Sequence, residues 1–408
     1  MSSYDEEFAD HFGIDNIPFG IASSTWHDSL QAVTRYDNTV IFLAELSITG
    51  VPQNVFLQSS LNSFAALGRA IHSLVRSQIQ QLIREEKIPG HAKEHVTNVC
   101  MALPVVIGDF TDFSCSPTHN RNAGQALMGQ ARGLPPGYLH MPLGYAGRCS
   151  SISVSGTPIH RPRGLYFEHG IEGLQGKRTQ VTCGPSRDLD YELEMGVIIG
   201  KPVPYGDFLS AKQASQHIFG FILINDWSAR DIQQLEMIPV GPLNSKHGAT
   251  TISAWVISPD ALESFKVDRR HIERGQLAPH LLDPKNKVIS VDVQTSVISG
   301  DISQRHKSVM CTTNVREMDW TFEQIIAHQS SSGCGMRSGD LLGIGTISGP
   351  GTHESGCMLE EFVPGSTPRR HYIADNEEVQ LVGKCGPGVG FGQCLAKVTP
   401  SKDKSAWP

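Results

Sequence analysis

The chain has 408 residues, with 34 Lys and Arg against 41 Asp and Glu and a formal charge of −7, so it lacks the basic excess that nucleic acid or an anionic membrane rewards. Only 18% of residues are charged, while 40 are Gly and 24 are Pro, a turn-rich composition that excludes a coiled coil and favours many short strands. At about 150 residues per domain the length suits two domains, and no apolar run approaches the roughly 18 to 20 residues of a membrane span.

The first 57 residues set short apolar runs, Val40 to Leu43 and Val55 to Leu57, among Gly, Pro and Asn, the pattern of a small barrel-like β unit. Ser59 or Ser60 then predicts the cap of a helix carrying Leu61, Phe64, Leu67, Ile71, Leu74, Val75, Ile79 and Leu82 at helical spacing and stopped by Pro89-Gly90. Its other face, Arg69, Arg76, Arg84 and Glu85, reads as solvated surface. From Met101 onward short β-like runs dominate, at Leu103 to Ile107, Ser151 to Val154, Glu192 to Ile199, Ile218 to Ile224, Val288 to Val297 and Val379 to Val382. They predict one large, mainly β domain over 101–408 after a unit of β structure and helix over 1–100, with the boundary between Gly90 and Met101. Nine cysteines without a C-x-x-C spacing read as separate reduced thiols. The start, MSSYDEEFAD, has no basic head before an apolar run, so the cytoplasm is the expected compartment.

Three stretches carry chemistry. In Leu189 to Met195 (LDYELEM) a strand period of two puts Asp190, Glu192 and Glu194 on one face. Three like charges side by side need either water, as on an edge strand, or a cation. The unbroken apolar run Phe219 to Ile224 reads as a strand covered on both faces, and it ends in NDWSARDIQQ. If a helix follows at once, Asp226, Arg230 and Gln233 share a face; the plainer alternative makes Asp226 an N-cap paired with Arg230. Upstream, Asp109 and Asp112 leave an apolar run, with His119 seven residues beyond Asp112. Donors from Asp112, Glu192, Glu194 and Asp226 suit a hard cation, Mg²⁺ or Ca²⁺, better than zinc. His91 and His95 lack the H-E-x-x-H order, and Gly386, Gly388, Gly390 and Gly392 read as turns beside a strand rather than a dinucleotide loop.

The strings IGDFTDF (107–113), LGYAGR (143–148), VSGTPI (154–159), DYELE (190–194), NDWSARDIQQ (225–234), GTISG (345–349) and VGFGQC (389–394), with NIPFG (16–20), resemble the fumarylacetoacetase family over nearly the whole chain. The resemblance implies an N-terminal SH3-like barrel, a C-terminal mixed β-roll, a homodimer, and a divalent cation beside a small diketone or related acid substrate. It places the metal carboxylates on Asp112, Glu192, Glu194 and Asp226, with Lys246 and Thr250 beside them. It places the general base on His119, its orienting carboxylate on Glu360, and oxyanion donors on Arg230, Gln233 and Lys246. Tyr145 and Thr346 then line the substrate.

Departures from the family pattern gather at the pocket. Ser114 and Met128 stand where the family grips a substrate carboxylate with tyrosine and arginine, Met237 replaces a further substrate-contacting tyrosine, and Ala146 and Ala249 replace a histidine and a glycine. A thioether cannot replace an Arg fork; Arg121 and Arg132 are the available substitutes. The expected activity is therefore metal-dependent hydrolysis of a carbon–carbon bond in a β-diketone whose distal group is larger or less acidic than that of fumarylacetoacetate, in a specialised or secondary-metabolic role. The competing readings are non-hydrolytic enolate chemistry (decarboxylase, dehydratase, isomerase or cyclase) and a catalytically dead binding paralogue. His119 and Glu360 favour hydrolysis.

Overall fold

The computed structural model describes residues 3–128, 133–168, 180–270, 274–283, 285–300, 304–363 and 367–402. The protein is mainly β with some helix. Near the N-terminus an antiparallel five-stranded sheet joins Gly20–Ser24, Gln31–Tyr36, Thr39–Phe42, Lys93–His95 and Val99–Ala102, with Gly20–Ser24 between Gln31–Tyr36 and Val99–Ala102.

The predicted helix is two. Asn62–Ala65 and Arg69–Arg84 are separated at Gly68, whose φ of +86° only glycine adopts cheaply, and neither helix is capped by Ser59 or Ser60. The predicted apolar stripe does turn inward, burying Leu61, Phe64, Val75 and Ile79. The opposite face is less solvated than its sequence suggests. Arg69 pairs with Asp260, and Arg76 donates to the carbonyls of Asn16 and Asp15, so the helix is tied to chain segments on both sides. Leu103 to Ile107 forms no strand. Pro104 offers its carbonyl to the Leu61 N–H, and Val106 donates to the Asn62 side chain.

A seven-stranded sheet runs in the order Gly144–Ala146, Phe110–Phe113, Leu341–Gly343, Leu193–Ile199, Ile218–Asp226, Thr250–Ile252 and Ile152–Val154. Its central strands are buried along their whole length because both faces are covered. Leu193, Met195, Val197, Phe221 and Leu223 pack into one core with Val293, Val379, Leu381 and Phe391 of a second sheet. The alternate residues, Ile198, Ile222 and Ile224, meet Phe19, Phe64, Val75 and Ile79 of the N-terminal region. The second sheet runs His306–Asn314, Asp292–Ser299, Glu378–Gly386, Val389–Thr399 and Ile159–His160. The glycine-rich stretch forms its hairpin turn, with Gly388 and Gly392 at positive φ. All nine cysteines are free. Among the described residues no helix is long and apolar enough to cross a membrane.

Candidate active site

The period of two carries three carboxylates to the same end of the seven-stranded sheet. Glu192 precedes Leu193–Ile199, Glu194 lies within it, and Asp226 closes the neighbouring Ile218–Asp226 strand. Asp112 arrives from Phe110–Phe113, whose partner across the ladder is Gly343. Oxygens of Asp112, Glu192, Glu194 and Asp226 lie within 4.8 Å of one another, and all four residues are buried. Glu194 is 0% exposed on a central strand, which removes the edge-strand alternative.

Asp226 accepts from Lys246 Nζ at 2.7 Å, the Tyr145 hydroxyl at 2.7 Å and the Thr250 hydroxyl at 3.1 Å. Lys246 also donates to Glu192, which pairs on its other side with Arg230 at 2.8 Å. Burial pushes Glu192 up, but Lys246 and Arg230 outweigh it and hold the carboxyl below its ordinary range. Burial also opposes the Lys246 charge, yet Asp226 and Glu192 raise its ammonium above the ordinary value. Nothing comparable serves the other two. Both oxygens of Glu194 and Oδ1 of Asp112 are buried without a hydrogen-bond donor. Burial, then the neighbouring carboxylates, raises Glu194 far above its ordinary value and Asp112 to about 7. Buried, orphaned oxygens facing one point, with no His or Cys among them, fit a hard divalent cation.

Asp190 leaves this group despite its matching parity. The short strand Leu189–Asp190 pairs with Ser228–Ala229, and its carboxylate accepts from the backbone N–H groups of Met358 and Leu359 and from Arg230 Nε at 2.8 Å. Asp226 is a strand residue and not an N-cap, because Trp227 and a second short strand intervene before the Arg230–Glu236 helix. Arg230 accordingly pairs with Asp190 and Glu192 rather than Asp226. It also donates to the Gln233 amide oxygen at 3.0 Å, so what Gln233 has left for a ligand is its NH₂. Asp109 stays outside, exposed and paired with Arg337.

The fold also brings together His119 and Glu360, 241 residues apart. His119 sits in the first turn of the Pro117–Met128 helix, where its N–H donates to the Ser116 hydroxyl, and its Nδ1 lies 2.9 Å from Glu360 Oε1. Glu360 also accepts from Ser348 Oγ at 2.5 Å and from Asn122 Nδ2 at 2.9 Å. Burial works against its charge, but His119 and these donors hold the carboxyl below its ordinary range. A carboxylate at Nδ1 fixes the proton there and leaves Nε2 as the accepting nitrogen. Sequence reasoning missed Asn122, although it lies one helical turn from His119, and Ser348, although it stands inside GTISG. It also missed Gly343, where a Cβ would come 2.6 Å from Asp112 Oδ1 and 3.2 Å from Glu194 Oε2.

Asp112 and Glu194 face a cleft of about 990 Å³. Ser114, Tyr145, Gln233, Met237, Lys246 and Thr346 line it with His119, Glu192 and Arg230, and the Ser114 hydroxyl accepts from Asn120. Thr250 lies behind Asp226, and Arg121 is exposed. Met128 ends the His119 helix; its side chain and all of Arg132 lie outside the described residues.

The fumarylacetoacetase N-terminal family matches residues 15–104, and the fumarylacetoacetate (FAA) hydrolase C-terminal family matches 109–399. The chain belongs to the fumarylacetoacetate hydrolase family. Within it, the chain is 37% identical to the fumarylacetoacetase of Dictyostelium discoideum over 418 residues and 35% identical to that of Rattus norvegicus over 414, covering 96% of each chain in both cases. Solved structures share the fold at lower identity. The fumarylacetoacetate hydrolase of psychrophilic Exiguobacterium antarcticum superposes with a TM-score of 0.55 at 16% identity, over 94% of this chain and 99% of that one. A 2-hydroxyhepta-2,4-diene-1,7-dioate isomerase from Mycobacterium marinum does so with 0.53 at 15%, over 95% and 100%. As a member of this family the chain is a hydrolase acting on carbon–carbon bonds.

Proposed function

We propose that this hydrolase cleaves a β-diketone of the acylacetoacetate type, with His119 activating the attacking water. The observation that carries the reading is that His119, paired with Glu360, lines the same cleft as Asp112, Glu192 and Glu194 of the carboxylate cluster. Asp112, Glu192, Glu194 and Asp226 would hold the divalent cation, Mg²⁺ or Ca²⁺, with Lys246 and Thr250 orienting Asp226. When bound, such an ion supplies Lewis acidity to a chelating dicarbonyl and favours its enolate.

The chain's own residues do the rest. Water near His119 Nε2 gives up a proton to the ring, and Glu360 stabilises the imidazolium that forms. The hydroxide adds to the carbonyl carbon, and the Gln233 NH₂, together with the Lys246 proton not taken by Glu192 or Asp226, can donate to the resulting oxyanion. Each well-aimed donor of this kind contributes about 2.7 to 4 kcal/mol. Arg230 acts from behind, holding Gln233 and Glu192 in place. The bond to the central methylene then breaks, its electron pair stays on that carbon, and a proton returns there to give a carboxylic acid and a methyl ketone. Tyr145 and Thr346 position the substrate, with Ser114, Met128 and Met237 in place of an anion grip. We assign residues 1–100 to an SH3-like barrel with its helix and 101–408 to the catalytic β-roll, working as a cytoplasmic homodimer.

The test follows diketone absorbance with Mg²⁺ present and quantifies both products. Equimolar acid and ketone, lost in His119→Ala and in Asp226→Ala, is the expected result. Turnover that survives His119→Ala but not Asp226→Ala would replace hydrolysis with water-independent enolate chemistry.

A further inference from the structure

Charged and apolar side chains share the lining of the cleft. On the Pro117–Met128 helix, His119, Ala123 and Leu127 follow one another at intervals of four, and all three line the cleft. Leu127 therefore stands about 12 Å along the helix axis from the base, at 1.5 Å per residue. Leu134, Leu143, Met237 and Ile238 add further apolar lining. Met237 and Ile238 are 37% and 64% exposed, so apolar surface faces the cleft mouth where a ligand could cover it. Among the described lining residues the cations are already engaged: Arg230 by Asp190 and Glu192, Lys246 by Glu192 and Asp226, and His119 by Glu360. A carboxylate lodged among these apolar side chains would lose its water and, among the described lining residues, meet no unengaged cation, which is costly. An alkyl or aryl group would gain by the area it covers.

We infer that the substrate's distal acyl group is uncharged and apolar, and that Leu127, Leu134, Leu143, Met237 and Ile238 select it. This deepens the proposed carbon–carbon hydrolase reading and rests on it for the orientation of the substrate, with the reacting carbonyl at His119 and the acyl tail running toward Leu127.

Acylacetoacetates R–CO–CH₂–CO–CH₂–COO⁻ that differ only in R, with R methyl, propyl, pentyl, phenyl or 2-carboxyethyl, test it with Mg²⁺ present. We expect kcat/KM to climb roughly two- to fourfold for each added methylene, and the pentyl compound to exceed the carboxyethyl one at least tenfold. Leu127→Arg should reverse that last preference, and Leu127→Ala should flatten the alkyl series while the protein remains folded. A carboxyethyl substrate turned over as well as the pentyl one, or a flat alkyl series, would overturn the inference. Calorimetric affinities of His119→Ala for the same compounds separate the two claims. If no compound is cleaved by the native enzyme but affinity still rises with chain length, the hydrolase reading fails and the apolar pocket stands. If affinity ignores chain length, the pocket assignment fails.

Discussion

A methyl group placed on Gly343 would enter the acidic cluster itself. Gly343 pairs with Gly196 on one side and Asp112 on the other, and an added Cβ would lie 2.6 Å from Asp112 Oδ1, about 0.9 Å short of the ~3.5 Å contact minimum. The same carbon would stand 3.2 Å from Glu194 Oε2. The strand is buried between two others, so relief must come from the carboxylates or from the ladder. Overpacking of this kind costs about 1 to 3 kcal/mol. Cation ligands tolerate only about 0.2 Å of displacement, several times less than the movement required, so Gly343→Ala should also weaken Mg²⁺ or Ca²⁺ at least tenfold. At saturating ion, a tenfold loss removes about 1.4 kcal/mol of ligand-induced stability. Urea unfolding with and without the ion reads both effects, and calorimetry reads the affinity directly. A variant that unfolds within about 0.5 kcal/mol of the native protein and binds the ion equally well would refute the placement of these oxygens around a cation.

Three further outcomes follow from the same geometry. Glu360→Gln keeps the shape but brings an NH₂ donor that can favour the wrong His119 tautomer and no charge to balance the imidazolium, so kcat should fall about 10² to 10⁴-fold with KM little changed; steady-state kinetics showing a KM effect alone would contradict the pairing. Asp190→Ala leaves buried Arg230 without one of its two carboxylate partners and two backbone N–H groups unmet, for a loss of about 3 to 5 kcal/mol by chemical denaturation, whereas a change within 1 kcal/mol would show that Glu192 alone suffices. His11, which accepts from the Gly392 N–H, is pushed down to about 4, chiefly by burial. The unfolded chain therefore takes up its proton first, and this group's contribution is present above about 6.5 and is lost as pH falls toward 4, by on the order of 3 kcal/mol. His11→Gln should flatten the pH dependence over that interval, and an unchanged slope would place the titration elsewhere.

Much of the candidate site can be read from local pattern because β structure has a period of two. LDYELEM announces carboxylates on one face, and the unbroken run before NDWSARDIQQ announces a strand covered on both sides; the folded chain puts Glu192, Glu194 and Asp226 together for those reasons. Composition likewise sufficed for a mainly β chain. Periodicity says nothing, however, about which distant segment arrives opposite. Asp190 has the same parity as Glu194, yet the passing backbone at Met358 and Leu359 claims it, so one carboxylate gains donors while the other is left bare. The helix stripe was visible, but the break at Gly68 was not, because a single glycine at positive φ depends on where the two flanking turns must pack. His119 meets Glu360 only because the GTISG region and the Pro117–Met128 helix converge at one sheet end. Alternation and hydrophobic runs are properties of neighbours in sequence, and they are decided locally. Partners for a buried charge are decided by what the whole chain leaves within hydrogen-bond reach.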